Sequence, residues 1–480
     1  MWISKILVTE INTVMPIPAK KGHCYSEFSI DRNSYMKLLK FFFLLCPFFI
    51  FSQEFKIAGS AEAKAILATE NENPFWFHTN TNFAVGELTN FSATGELRAS
   101  LLFPSFLING GAAVFGRDGV KDAVQRRDLY LQFENSWLFA TVGAKKQFEV
   151  FNGLSATNQD FLWSGNARPL PGILLEANNP FKISKTFAVD WGMAHYELND
   201  DRYVDGTHVH YKRLSLITSF NENNTLTAKV QHYVQWGGTS PEWGKLKSGF
   251  KDFVNVFFAH TTEEYGIEGE TLNKLGNHLG SVLLDYNHAN KLGSFSIYHD
   301  HYIEDGSGTR LANFPDGLWG IYFEPANNRF FTAILYEYID TMDQSGISVG
   351  SGKDNYFSNS IYRSGWSYEK NIMGVPFILY DKSAQISEGV SPIISNRVKV
   401  HHFGLMGHFD AFQWKLKSSL AKYTGTYRTP LYPEWKYWYN YGSLSYKNEK
   451  LGTFTIMGGA DFSNKAKTLV GGGVEYSYSF

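Results

Sequence analysis

The sequence predicts an all-β fold: one transmembrane antiparallel β-barrel of about 18 strands, forming a single domain. Three observations carry that expectation. Segment after segment alternates apolar and polar residues with a period of two. Short connections alternate with long ones, as in outer-membrane barrels with tight periplasmic turns and extended external loops. Aromatic residues reach 16%, with 40 Phe, 27 Tyr and 12 Trp beside 43 Gly. Mean hydropathy is nevertheless negative. Abundant ring surface at low mean hydropathy suits strands that are apolar on one face only, and does not suit a bundle of membrane helices.

The N-terminus reads as targeting sequence. Residues 1–35 are polar and patternless and fit either a mis-assigned start or a disordered extension. Met36 opens a basic segment with Lys37 and Lys40, followed by the apolar run Phe41 to Phe51 and Ser52. This is the pattern of a signal peptide over 36–52, and a spanning helix would need roughly 20 apolar residues. Cys46 follows Leu45 inside the apolar run rather than a small residue, which argues against a lipid anchor. Both cysteines, Cys24 and Cys46, precede the mature chain, so residues 53–480 hold no disulfide framework, cysteine zinc site or cysteine nucleophile. A net charge of −2 points to no global attraction to nucleic acid.

Over 53–480 the clearest strands are "EFKIAGSAEAKA" from Glu54, "FSATGELRASLLF" from Phe91, "FQWKLKSSL" from Phe412 and "GTFTIMGGADF" from Gly452. Strand composition also marks Phe106–Phe115, Arg127–Glu134, Trp137–Lys145, Phe187–Leu198, His208–Phe220, Leu226–Trp236, Leu279–His288 and Leu292–Ile303. Gly317–Phe323, Arg329–Ile339, Asn359–Glu369 and Arg397–Phe409 follow in the same way. Pro104–Ser105, Asn290–Lys291, Asp410–Ala411 and Asn448–Lys450 are tight links. The long ones are Gln147–Pro169, Gly237–Gly276, Glu304–Pro315, Thr341–Ser358 and Gly425–Pro433. Within Gly237–Gly276, Phe250, Phe253, Val254 and Phe257 could share one helical face. No internal repeat or linker divides the chain.

The final strand sets Val470, Val474, Tyr476, Tyr478 and Phe480 on one face and Gly471, Gly473, Glu475, Ser477 and Ser479 on the other. In hydrocarbon an unpaired backbone group is costly, so a closed barrel ending in outward aromatics accounts for the terminus.

Few residues announce chemistry. Trp236, Trp243, Trp319, Trp366, Trp435 and Trp438 lie at strand ends or in long loops, where rings can stack on sugars or form the interfacial girdle of a membrane barrel. Trp236 and Trp243, within "QWGGTSPEWG", sit among glycines that open the backbone to a ligand; Gln235, Trp319 and Trp435 complete the expected glycan-binding set. His208 with His210, and His299 with His301, each share a strand face, but no third metal ligand follows from spacing. Lumen charges of both signs (Lys56, Lys64, Arg98, Lys415 and Lys417 with Glu54, Glu62 and Glu96) suit a plugged or neutral-substrate interior. No hydrolase, zinc-protease, P-loop or dinucleotide fingerprint occurs, and "GSGK" at Gly350 lacks the P-loop spacing. Single residues such as His401 and His402 remain available, so catalysis is an unfavoured alternative.

"NARPLPGILL" (Asn166 to Leu175), "HYVQWGGTSPEWGK" (His232 to Lys245), "SGFKDFVNVFF" and "LGNHLGS" (Leu275 to Ser281) resemble the capsule-assembly Wzi family as found in Bacteroidota. The resemblance implies a non-enzymatic outer-membrane barrel acting as a lectin, which helps assemble or attach capsular or exopolysaccharide at the cell surface. It implies no cofactor and no catalytic residues. Its expected partners are that polysaccharide, outer-membrane lipid and, during biogenesis, the barrel-assembly machinery. The best-known members carry an N-terminal helical plug, for which this chain leaves no room, so any block of the lumen must come from loops. A porin or sugar-selective channel is the alternative reading.

Overall fold

The computed structural model describes residues 54–260, 274–326, 330–347, 352–387 and 389–480. The expected extension and signal peptide, including Cys24 and Cys46, lie outside the described residues. Period-two alternation builds the barrel strand by strand. In chain order the wall comprises β1 (Glu54–Ala68), β2 (Phe91–Leu102), β3 (Phe106–Arg117), β4 (Val124–Asn135), β5 (Leu138–Ala144) and β6 (Gly172–Ala177). It continues with β7 (Phe187–Leu198), β8 (Thr207–Asn221), β9 (Asn224–Trp236), β10 (Asn277–Asn290), β11 (Gly293–Ile303) and β12 (Gly317–Pro325). Last come β13 (Ala333–Asp340), β14 (Val398–Phe409), β15 (Phe412–Gly425), β16 (Pro430–Asn448), β17 (Gly452–Ser463) and β18 (Leu469–Ser479). A two-residue piece, Phe181–Lys182, prolongs the β6 position along β7.

Every strand pairs antiparallel with its sequence neighbours, and β18 closes on β1 through a register from Ser60↔Ser479 to Ala68↔Gly471. The result is a closed barrel of 18 strand positions. Closure removes the unpaired strand edge that the bilayer would penalise by several kcal/mol per group. On the last strand, Val470, Val474, Tyr476, Tyr478 and Phe480 are all exposed, while Gly471, Gly473, Glu475 and Ser477 turn inward. Leu97, Val114, Leu131, Ile297, Ile321, Leu416 and Ile456 continue this outer apolar band around the wall. No helix among the described residues is long and apolar enough to cross a membrane.

Two expectations about the wall change. Asn359–Glu369 was expected as a wall strand, but it lies in the long segment 341–397, which folds into the lumen; only Ser367–Tyr368 pairs, with Asn371–Ile372. Its aromatic content reflects burial inside the barrel, which composition alone cannot separate from a wall strand. Gly425–Pro433, expected as a long loop, is a tight turn, because β15 and β16 remain paired up to Gly425↔Pro430. Two wall strands went unread: β6, because six residues carry too short a pattern, and β16, whose start falls in the expected loop Gly425–Pro433.

The core lies in the lumen. Three segments enter from the end opposite the termini: 69–90, 145–171 and the described residues of 341–397. The first contains a four-residue helix, α1 (Phe75–His78), the only helix among the described residues N-terminal to β2. Together they bury Trp76, Phe161, Leu162, Phe357, Trp366 and Phe377 against inward wall tyrosines such as Tyr233, Tyr298, Tyr302 and Tyr439.

Polar bonds fix this plug. Glu337 of β13, fully buried, accepts from Ser155 Oγ at 2.6 Å, the Ala156 N–H at 2.7 Å and Tyr298 OH at 2.6 Å. Asp300 of β11 accepts from the Phe161 N–H at 2.9 Å. Trp366 Nε1 donates to the Leu162 carbonyl at 2.7 Å, joining two of the inserted segments to each other. The expected mixed lumen charge pairs across strands, as in Lys64–Glu475 at 3.0 Å and the contact of Arg127 with Glu96.

Candidate functional site

The long connections all emerge at the end opposite the termini, so a ligand from outside the cell meets that end first. There the plug does not fill the barrel against β16 and β17. A cavity of about 470 Å³ remains, lined by Phe75 and His78 of α1, Lys370, Asn371, Tyr380 and Lys382 of the plug, and Tyr437, Tyr439 and Asp461 of the wall. Asp461 Oδ2 accepts from the Phe75 N–H at 2.7 Å, which anchors α1 at the cavity edge. Lys382 pairs with Glu87 at 3.0 Å and Lys467 with Glu70 at 3.4 Å, so charges of both signs frame the opening. Burial holds the His78 imidazole down, to about 4, so this ring is neutral at physiological pH.

Strand alternation on β16 carries Trp435, Tyr437, Tyr439 and Tyr441 to the inner face at every second position. Tyr437 and Tyr439 stack at 5.3 Å, and Phe75 stacks on Tyr439 at 4.3 Å. Higher on the same face, Lys465 Nζ lies 4.9 Å from the Trp435 ring centroid. Rings flanked by amides, carboxylates and ammonium groups match what a sugar presents: apolar C–H faces edged by hydroxyls. A second cavity of about 740 Å³ lies elsewhere in the lumen, among Glu96, Arg98, Asp128, Lys145 and Tyr211.

The residues expected from sequence separate into different places. Trp243 is 41% exposed beside the small hairpin Thr239–Ser240/Gly244–Lys245 in the external loop. Trp435 is half-buried at the inner rim, next to the cavity tyrosines. Trp236 faces the outer wall at 5% exposure, roofed by helix α2 (Phe250–Phe258), with Phe253 5.8 Å away. Its faces are covered, so it presents no free platform. Gln235 is fully buried and donates to the Gly365 carbonyl at 3.1 Å while accepting from Asn277 at 2.9 Å, which makes it a tie between wall and plug. Trp319 stacks on His299 at 3.6 Å on the outer wall and donates to the Pro315 carbonyl at 3.1 Å, a girdle position.

The histidine pairs stand on the outer wall. Their neighbours Tyr211, Tyr298 and Tyr302 take the inner face. The helix expected around Phe250 is present, but Val256 is its buried anchor and Phe250 is 83% exposed. Tyr437, Tyr439 and Tyr380 were missed by sequence reading. The alternation in "WKYWYNY" was the available signal.

A closed, plugged barrel with an apolar outer band and long loops at one end defines an outer-membrane β-barrel protein. Residues 153–378, which run from the plug through β6 to β13 and into the plug again, match the family described as capsule assembly protein Wzi. The family supports a role in capsule assembly at the outer membrane. A search of curated proteins found no match.

Solved structures of similar fold include Pseudomonas aeruginosa OccK5 (OpdH), at 10% identity and a TM-score of 0.48, covering 90% of this chain and 99% of that one. Pseudomonas aeruginosa OccK3 (OpdO) aligns at 11% identity and a TM-score of 0.48, covering 90% and 96%. A BenF-like porin from Pseudomonas fluorescens aligns at 9% identity and a TM-score of 0.46, covering 90% and 99%.

Proposed function

We propose that the protein is a non-enzymatic, lectin-like barrel that binds capsular or exopolysaccharide at its external end and so helps assemble or attach it there. The observation that carries this reading is the ring ladder Trp435–Tyr437–Tyr439 descending into a cavity of about 470 Å³ that also holds Tyr380, Asn371 and Asp461. Trp243, exposed in the external loop after β9, is a further contact for a long polymer. Trp236, Gln235 and Trp319 serve this role indirectly, by holding the outer helix, the plug and the girdle. The plug also favours a binding role over a channel, since a sugar-selective pore needs a path that the buried Glu337 and Trp366 bonds obstruct.

The test is binding of the organism's own surface polymer to the purified barrel. Each aromatic platform is worth about 0.5–1.5 kcal/mol beyond its buried area, on the scale of ring–ring contacts. Tyr380→Ala with Trp435→Ala should therefore weaken binding about tenfold, and Trp243→Ala less. Undiminished binding in the double variant, or a large steady single-channel current from the wild type, would reject the reading in favour of a channel.

A further inference from the structure

The cavity and the plug leave unused a cluster on the other surface of the wall. On β7, Ala194, Tyr196 and Leu198 pack into the lumen core, so His195 and Glu197 point outward. On β8, Val209 and Tyr211 belong to that core, so His208 and His210 point outward, in line with Leu214 and Leu216, which are 58% and 43% exposed. The antiparallel register sets His195 opposite His210 and Glu197 opposite His208. Three imidazoles and a carboxylate thus occupy the corners of one two-by-two grid, whose facing Cβ atoms are about 4.5–5.5 Å apart in any antiparallel pair. The His195 ring centroid lies 5.2 Å from that of His208 and 6.4 Å from that of His210.

Two features separate this grid from an ordinary polar patch. Helix α2 roofs it, with Phe253 and Phe257 each 5.2 Å from His210, which is 2% exposed. His208 Nδ1 is buried without a hydrogen-bond partner, and the buried His210 ring has the Ala194 backbone beside it as a polar neighbour. Buried polar groups nearly always have a partner, and a neutral imidazole nitrogen is a common ligand of transition-metal ions. Among the described residues no three such groups already stand at coordinating distance. Convergence therefore calls for rotation of these side chains on an unchanged backbone grid.

We infer that His195, His208, His210 and Glu197 form a site for one divalent transition-metal ion on the outer wall, beneath the edge of α2. Three nitrogen donors and one carboxylate suit the tetrahedral preference of Zn²⁺, whereas Ca²⁺ and Mg²⁺ favour oxygen ligands. Glu197 is exposed at the rim, which gives the ion an entry side and offsets part of its charge. The bound ion cross-links β7 to β8 directly below the helix. This inference is independent of the glycan reading.

The experiment uses the full barrel in detergent, without a polyhistidine tag, stripped with chelator and titrated with Co²⁺ as a spectroscopic stand-in for Zn²⁺. One ion per chain with tetrahedral visible bands is expected, displaced by Zn²⁺. The pair His208→Ala and His210→Ala should weaken binding more than about 100-fold, beyond the 10–100-fold usual for groups that only support a ligand. Glu197→Gln, exposed and so safe for folding, should weaken it and shift the bands. His401→Ala, whose ring bonds Tyr336 OH at 2.8 Å on another strand, should leave it unchanged. No stoichiometric uptake by the wild type, or equal uptake by Glu197→Gln with unshifted bands, overturns the site even if the double variant fails to fold.

Discussion

Replacing Glu337 by Ala tests whether the plug is held by specific bonds or only by hydrophobic filling. The carboxyl is fully buried and accepts three hydrogen bonds of 2.6–2.7 Å, two from the plug at Ser155 and Ala156 and one from wall residue Tyr298. The two hydroxyls can rotate toward other acceptors, but the Ala156 N–H is fixed by its backbone. A buried donor left without a partner costs about 1–3 kcal/mol. Counting the amide in full and each hydroxyl at a fraction gives a net loss of about 3 kcal/mol.

At 1.36 kcal/mol per factor of ten, that is about a 150-fold drop in protection of the Ala156 amide. Hydrogen exchange read by mass spectrometry on peptides covering 150–163 reports it directly. Wall peptides such as 412–425 should change by less than about threefold, because the loss is local and the β15 ladder keeps its partners. Glu337→Gln keeps one acceptor and should fall between. Unchanged protection at Ala156, or equal loss in wall and plug, would refute the claim that the plug opens as a separate unit.

Two further outcomes follow from the wall and the loops. Val474→Arg places a charge midway along the outward face of β18 and should cost about 2–4 kcal/mol in lipid. Urea unfolding in vesicles measures it, and a loss below 1 kcal/mol would contradict a lipid-facing β18. Asp316, fully buried where segment 304–316 meets β12, is pushed up by burial to about 7, although it accepts from the Asp343 and Gln344 N–H groups and from Tyr356 OH. Between its ordinary 3.8 and that value the folded carboxyl keeps a proton the unfolded chain has lost. Stability of this loop cluster is therefore fullest near pH 4 and declines as pH rises toward 7. Exchange at Gln344, corrected for intrinsic rate, should quicken over that range and flatten in Asp316→Asn.

Strand periodicity, the apolar outer face of β18 and the asymmetry of connections were all legible in the chain, because each depends on neighbours in sequence. Two residues along a strand share a face whatever the rest of the protein does. Lipid also favours apolar residues at the outward positions that cross the bilayer centre, so the pattern recurs from strand to strand. The ring ladder of β16 was legible too, and was missed because the turn before it was read as a long loop.

Other features follow from contacts between segments far apart in the chain. Whether Trp236 is a sugar platform or a packing residue depends on α2 folding back over it. Whether Asn359–Glu369 spans lipid or fills the lumen depends on Leu162, Gln235 and the wall tyrosines that receive it. The direction in which His208 and His210 point rests on Tyr211 claiming the inner face, and their union with His195 and Glu197 rests on the register of β7 with β8. Sequence fixed the alternation along each strand, since it is set by covalent geometry; only the closed barrel decided which face is inside, what fills it and which strands become neighbours, since those are set by long-range packing.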